Sequence, residues 1–159
     1  MHPSQITLLV VSIVVNVCLW VEYAVMRPSG RDFGAVRGGM RVYMLTAAAI
    51  AYACNVAYVG LVVAAPLKRL KASQVDTVTV ATVVYYVLQL AFLPLVRASL
   101  KNDEVSKFWV QSVLLLCIIP MAVLAIVAMQ AKNPALIALS IIPLLHVTVN
   151  DAVLFGGMF

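Results

Sequence analysis

Charge is what this chain has least of. Only 11% of its 159 residues are Asp, Glu, Lys or Arg, against 64% that are hydrophobic, and the mean hydropathy is +1.05. Soluble domains carry about a quarter charged residues, so this composition excludes an ordinary water-soluble fold. Acidic residues are the scarcer kind, six against eleven basic ones. The balance of +5 belongs to the stretches between apolar runs. There it reads as membrane orientation and contact with anionic lipid head groups, not as a nucleic-acid surface.

Other absences remove whole classes of chemistry. The three cysteines, Cys18, Cys54 and Cys117, lie inside apolar runs and form no CxxC pair. That spacing argues against thiol–disulfide exchange and against a zinc site, and leaves them as small hydrophobes. Of two histidines only His146 lies in an apolar run, so one chain cannot supply bis-histidine haem ligation. No lysine lies in the apolar part of a run, which excludes a retinal-type Schiff base, and there is neither a Gly-rich phosphate loop nor an HExxH. Ser140, His146 and Asp151 resemble a nucleophilic set only by composition. Six residues separate Ser140 from His146, which puts them on different faces of one helix. No cofactor and no metal is expected, and the sequence leans away from an enzyme.

What remains is apolar length. A helix needs about 20 residues to cross about 30 Å of hydrocarbon. Five runs meet that measure, over about 6–26, 42–65, 77–96, 108–129 and 134–155. The expected fold is an all-α integral membrane protein, one polytopic domain built as a bundle of about five transmembrane helices. The first run is preceded by MHPSQ, which lacks the positive flank of a cleavable signal, so it is read as a retained helix. In the second run Ala49, Ala53 and Ala57 recur every four residues, followed by Gly60 and Ala64. Such a ridge lets helices approach closely in lipid. It predicts a central position for this helix and a contact for self-association. Pro120 predicts a break at mid-depth in the fourth run, and the short link Gln130 to Asn133 makes the last two helices an antiparallel hairpin. Seven Lys and Arg residues fall in the loops after runs one and three, and four (Lys68, Arg69, Lys71, Lys132) on the other side. The positive-inside rule then predicts an N-terminus outside and a C-terminus in the cytoplasm.

The polar residues inside the runs carry the functional reading. Asn16, Asn55, Tyr86 and His146 fall near the middles of helices one, two, three and five. Tyr52, Asn55 and Tyr58 share one broad face, as do Thr82, Tyr86 and Gln89. His146 and Asn150 are four residues apart on a helix, with Asp151 next to Asn150. Glu22 and Asp151 fall about 8–9 Å from mid-depth toward the same side, counted at 1.5 Å per residue. Ionisable groups there need a reason: a protonated state, an arginine folding back from the interface, or a bound cation or proton. The candidate site residues are therefore Glu22, Asn55, Tyr86, Gln89, His146, Asn150 and Asp151.

Three readings follow. The first is a channel or transporter that binds or passes a small cation or proton, homo-oligomeric because one small bundle seldom encloses a pore. The second is a non-catalytic accessory subunit of a larger membrane complex, its polar groups serving only as interhelical glue. The third is a lipid-binding or lipid-modifying enzyme. Membrane lipids are partners in all three, and nucleic acid in none.

Overall fold

An apolar run of this length closes its own backbone hydrogen bonds as a helix. The structure, a computed structural model, describes residues 3–25, 38–63, 70–99 and 104–155. These form five α-helices: α1 (Pro3–Val25), α2 (Gly38–Val63), α3 (Ala72–Ser99), α4 (Glu104–Ala131) and α5 (Pro134–Phe155), with no strand among the described residues. Four contain a stretch long and apolar enough to cross a membrane: Pro3–Val21, Leu45–Val63, Ala72–Phe92 and Gln111–Ala131. The apolar stretch of α5, Pro134–Val149, is shorter.

Local chemistry sets the ends. α3 starts earlier than the apolar run alone predicts, because the Gln74 side chain reaches back to cap the first turn at Lys71. The Gln74 side chain accepts from the Lys71 N–H at 3.0 Å, and the Gln74 N–H donates to the Lys71 carbonyl at 2.9 Å. At the α4–α5 hairpin, Lys132 takes a left-handed φ of 51°. Asn133 then caps α5, its Oδ1 accepting from the N–H groups of Ala135 and Leu136 at 3.0 and 3.3 Å. Pro134 follows as the first helical residue, where a missing N–H costs nothing.

Helix order in space differs from order in sequence. α3 packs on α4, α4 on α5, α5 on α2 and α2 on α1, while α3 touches α1 and α2 more lightly. The helices α1, α3 and α5 run one way and α2 and α4 the other. Cross-links fix this register: Gln74 to Gln130 and Gln89 to Cys117 between α3 and α4, and Trp20 Nε1 to the Leu45 carbonyl (3.1 Å) between α1 and α2.

Two expectations from the sequence change here. The most enclosed helix is α4, not α2: half of its membrane-length stretch is buried, against 39% for α2 and 17% for α1. The alanine ridge of α2 does not carry the packing, since Ala53 and Ala57 are exposed. The inward stripe is Ala48, Ala51, Asn55, Tyr58, Val59 and Val62, whose longer members reach neighbours that a methyl cannot. Pro120 does not break α4 either, which is helical from Glu104 to Ala131. A buried proline in a bundle removes one N–H without ending the helix when its neighbours hold the chain in place.

Candidate functional site

All six buried polar residues among those described are Ser12, Asn16, Asn55, Thr82, Gln89 and Ser140, and none exposes more than 6% of its surface. All but Ser140, which lies on α5 and bonds back to the Ile137 carbonyl at 2.9 Å, gather where α3 faces α1 and α2 across the lighter of the helix contacts. There the backbones stand apart and a long side chain is needed to bridge them. Tyr86 does so. Its hydroxyl donates to Asn55 Oδ1 at 2.8 Å and accepts from Asn16 Nδ2 at 2.9 Å. Asn16 Nδ2 also donates to the Ser12 carbonyl at 2.7 Å and lies 3.4 Å from Asn55 Oδ1.

These contacts fix both amide orientations. Turning Asn16 over would set its oxygen against the Ser12 carbonyl, and turning Asn55 would set nitrogen against nitrogen. With that geometry three buried polar atoms have no hydrogen-bond partner: Asn16 Oδ1, Asn55 Nδ2 and Thr82 Oγ1. Each such group costs about 1–3 kcal/mol in a protein interior. Thr82 is unusual in this chain. Elsewhere helical hydroxyls bond back to the carbonyl four residues earlier, as Ser12, Thr46, Thr77 and Thr79 do. Thr82 is fully buried and does not.

Further polar contacts join the other helices. Gln89 Nε2 lies 3.5 Å from Cys117 Sγ, linking α3 to α4. His146 and Tyr52 meet edge to face, ring centres 6.2 Å apart and planes at 79°, linking α5 to α2. The Tyr58 hydroxyl donates to the Leu124 carbonyl at 2.8 Å, linking α2 to α4. At 1.5 Å per residue, Gln89 lies about 4.5 Å beyond Tyr86 along α3. Tyr52 lies about 4.5 Å from Asn55 in the same direction, because α2 runs opposite to α3. Ser12 and Thr82 lie about 6 Å the other way, one turn before Asn16 and Tyr86. The polar groups thus form a ladder of three levels. Ser12 and Thr82 are at the bottom, Asn16, Asn55 and Tyr86 in the middle, and Tyr52, Gln89, Cys117 and His146 at the top.

Of the residues singled out from sequence, Asn55 and Tyr86 are hydrogen-bonded in the middle level, and Gln89 and His146 sit in the level above. The side chains of Glu22, Asn150 and Asp151 lie outside the described residues, although α1 and α5 carry them. So does any arginine pairing to the two carboxylates. Asn16 is the hub of the site, yet sequence reasoning placed it only at mid-depth. Ser12 was missed altogether; its signal was the four-residue spacing to Asn16, which puts both on one face. The exposed Cys18 and half-buried Cys54 take no part in these contacts. Among the described residues no three His, Cys, Asp or Glu side chains group to hold a metal ion. The arrangement offers hydroxyls, amides and one imidazole, which can bind a small polar species or relay a proton. In comparisons with known proteins, the chain matches no family model, no curated protein and no solved structure.

Proposed function

We propose that this chain is an integral membrane protein whose five helices all cross the bilayer. Its polar ladder binds or passes a small cation or a proton, as a channel or transporter. The observation that carries this reading is the stacking of five of the six buried polar residues among those described, all but Ser140, into one ladder at the heart of the bundle. Polar groups in lipid are costly, and scattering would serve packing as well as stacking does. Along α1, α3 and α5 the ladder also climbs toward the end that bears Glu22 and Asp151, the natural mouth for a cation. The orientation that fits the loop charges puts that mouth on the cytoplasmic side.

The test is flux from sealed proteoliposomes under an imposed potential, with proton, Na⁺ and K⁺ readouts. Wild type passes one of these, and Asp151→Asn and His146→Ala each slow it while leaving the helical circular dichroism unchanged. Absence of all three fluxes from correctly folded protein would overturn the proposal.

A second reading has its own support. Tyr58 to Leu124 and Gln89 to Cys117 are satisfied contacts that lock helices and need no ligand. They suit an accessory subunit of a larger complex. Native mass spectrometry of protein gently extracted from its own membrane separates the two. Multiples of 17.2 kDa fit a self-contained homo-oligomer, and a constant set of foreign subunits fits the accessory role.

A further inference from the structure

The three unpartnered atoms have a composition that names their ligand. Two are oxygens able to accept a hydrogen bond, Asn16 Oδ1 and Thr82 Oγ1, and one is an amide nitrogen able to donate, Asn55 Nδ2. They come from α1, α3 and α2, the helices that Tyr86 draws together. Thr82 is fully buried and stands one turn before Tyr86 on the same face of α3. A bare metal cation is a poor fit. It needs oxygen on all sides, and here an N–H group presents partial positive charge while no described carboxylate sits in the cluster. A purely apolar occupant would leave all three groups unmet. A neutral molecule that both donates and accepts satisfies them together.

We infer that Asn16, Asn55 and Thr82 hold a single water molecule. It accepts from Asn55 Nδ2 and donates to Asn16 Oδ1 and Thr82 Oγ1, giving the three bonds typical of a buried water. Asn16 and Asn55 connect it to the Tyr86 hydroxyl, so the water is a link in a hydrogen-bonded chain and not an isolated filler. An incoming proton adds to the water's free lone pair and one of its own protons leaves along the bond to the Thr82 hydroxyl, which releases its O–H proton in turn, so both end unchanged. A desolvated Na⁺ or K⁺ gains no comparable coordination. The inference rests on the transport reading only for its consequence, that the species passed is a proton; the water site stands or falls on its own.

The experiment uses the full chain in lipid nanodiscs, with its five asparagines labelled with ¹⁵N and the side-chain amide signals assigned by substitution. Asn55 is expected to show a nuclear Overhauser contact to water with the sign of a bound molecule. Thr82→Val should abolish it and Thr82→Ser should restore it. The same three proteins are then measured for proton and Na⁺ flux in liposomes. Proton flux that falls about tenfold in Thr82→Val and recovers in Thr82→Ser supports the water as a relay, a tenfold change corresponding to about 1.4 kcal/mol of barrier. If folded wild type shows no bound-water contact at Asn55, the water site is refuted whatever the fluxes are. A bound water with no flux of either ion keeps the site and sinks the transport reading. Na⁺ flux that Thr82→Val abolishes keeps transport and refutes the neutral-water assignment.

Discussion

Tyr86→Phe removes one oxygen from the centre of the bundle and almost no volume, so no cavity cost enters. The loss is two hydrogen bonds, the one donated to Asn55 Oδ1 at 2.8 Å and the one accepted from Asn16 Nδ2 at 2.9 Å. Interhelical hydrogen bonds in membranes average about 0.6 kcal/mol and reach about 1.7, so two give about 1.2–3.4 kcal/mol. The position within that range depends on whether the abandoned groups find new partners. Asn16 keeps the Ser12 carbonyl, but Asn55 Oδ1 keeps only the 3.4 Å contact to Asn16, and Asn55 Nδ2 has no partner within the protein. With so little to fall back on, the upper half applies, about 2–3 kcal/mol. Tyr58→Phe is the matched control. It deletes one bond, to the Leu124 carbonyl, and should cost about 0.6 kcal/mol. Both are read from reversible unfolding in mixed micelles titrated with SDS, followed by circular dichroism. A double-mutant cycle of Tyr86→Phe with Asn55→Leu should return a coupling of at least about 1 kcal/mol. The reasoning is refuted if Tyr86→Phe costs no more than Tyr58→Phe, or if the cycle shows no coupling.

Other predictions concern the hairpin and the core, and the same unfolding assay checks most of them. Lys132→Gly should stabilise the protein by about 0.5–1 kcal/mol. The left-handed conformation costs an L-residue about 1–2 kcal/mol, and glycine's looser unfolded chain offsets part of the relief. Asn133→Ala removes the cap of α5 and should cost about 1 kcal/mol. Ala128, fully buried in α4, leaves no room for a larger side chain, so Ala128→Leu should cost about 1–3 kcal/mol. In mild detergent, a maleimide should label the exposed Cys18 in the folded protein and the buried Cys117 only after unfolding. Equal labelling rates, read by intact mass spectrometry, would contradict the packing of α4.

Much of this molecule follows from periodicity and length alone. Apolar runs, prolines and the Asn-Pro pair place five helices and the tight α4–α5 hairpin, because backbone satisfaction and capping are local. The face shared by Thr82, Tyr86 and Gln89 is equally local, and all three are buried. Counting from helix centres puts Asn16, Asn55, Tyr86 and His146 near one level; the structure joins the first three there and sets His146, against Tyr52, in the level above. What periodicity does not carry is which helix lies beside which. The ridge Ala49–Ala53–Ala57 and the stripe Ala51–Asn55–Tyr58 both repeat at helical spacing, and only the positions of α1, α3, α4 and α5 turn the second inward. Tyr52, Asn55 and Tyr58 look like one face in sequence, yet they meet α5, α3 and α4 respectively. The chain by itself determined that polar groups would lie near the middles of its apolar helices, because run length fixes where each residue falls along its helix. Tertiary structure alone decided that Tyr86 bridges two asparagines and that three polar atoms find no partner within the protein, because pairing depends on distances between helices that no single helix encodes.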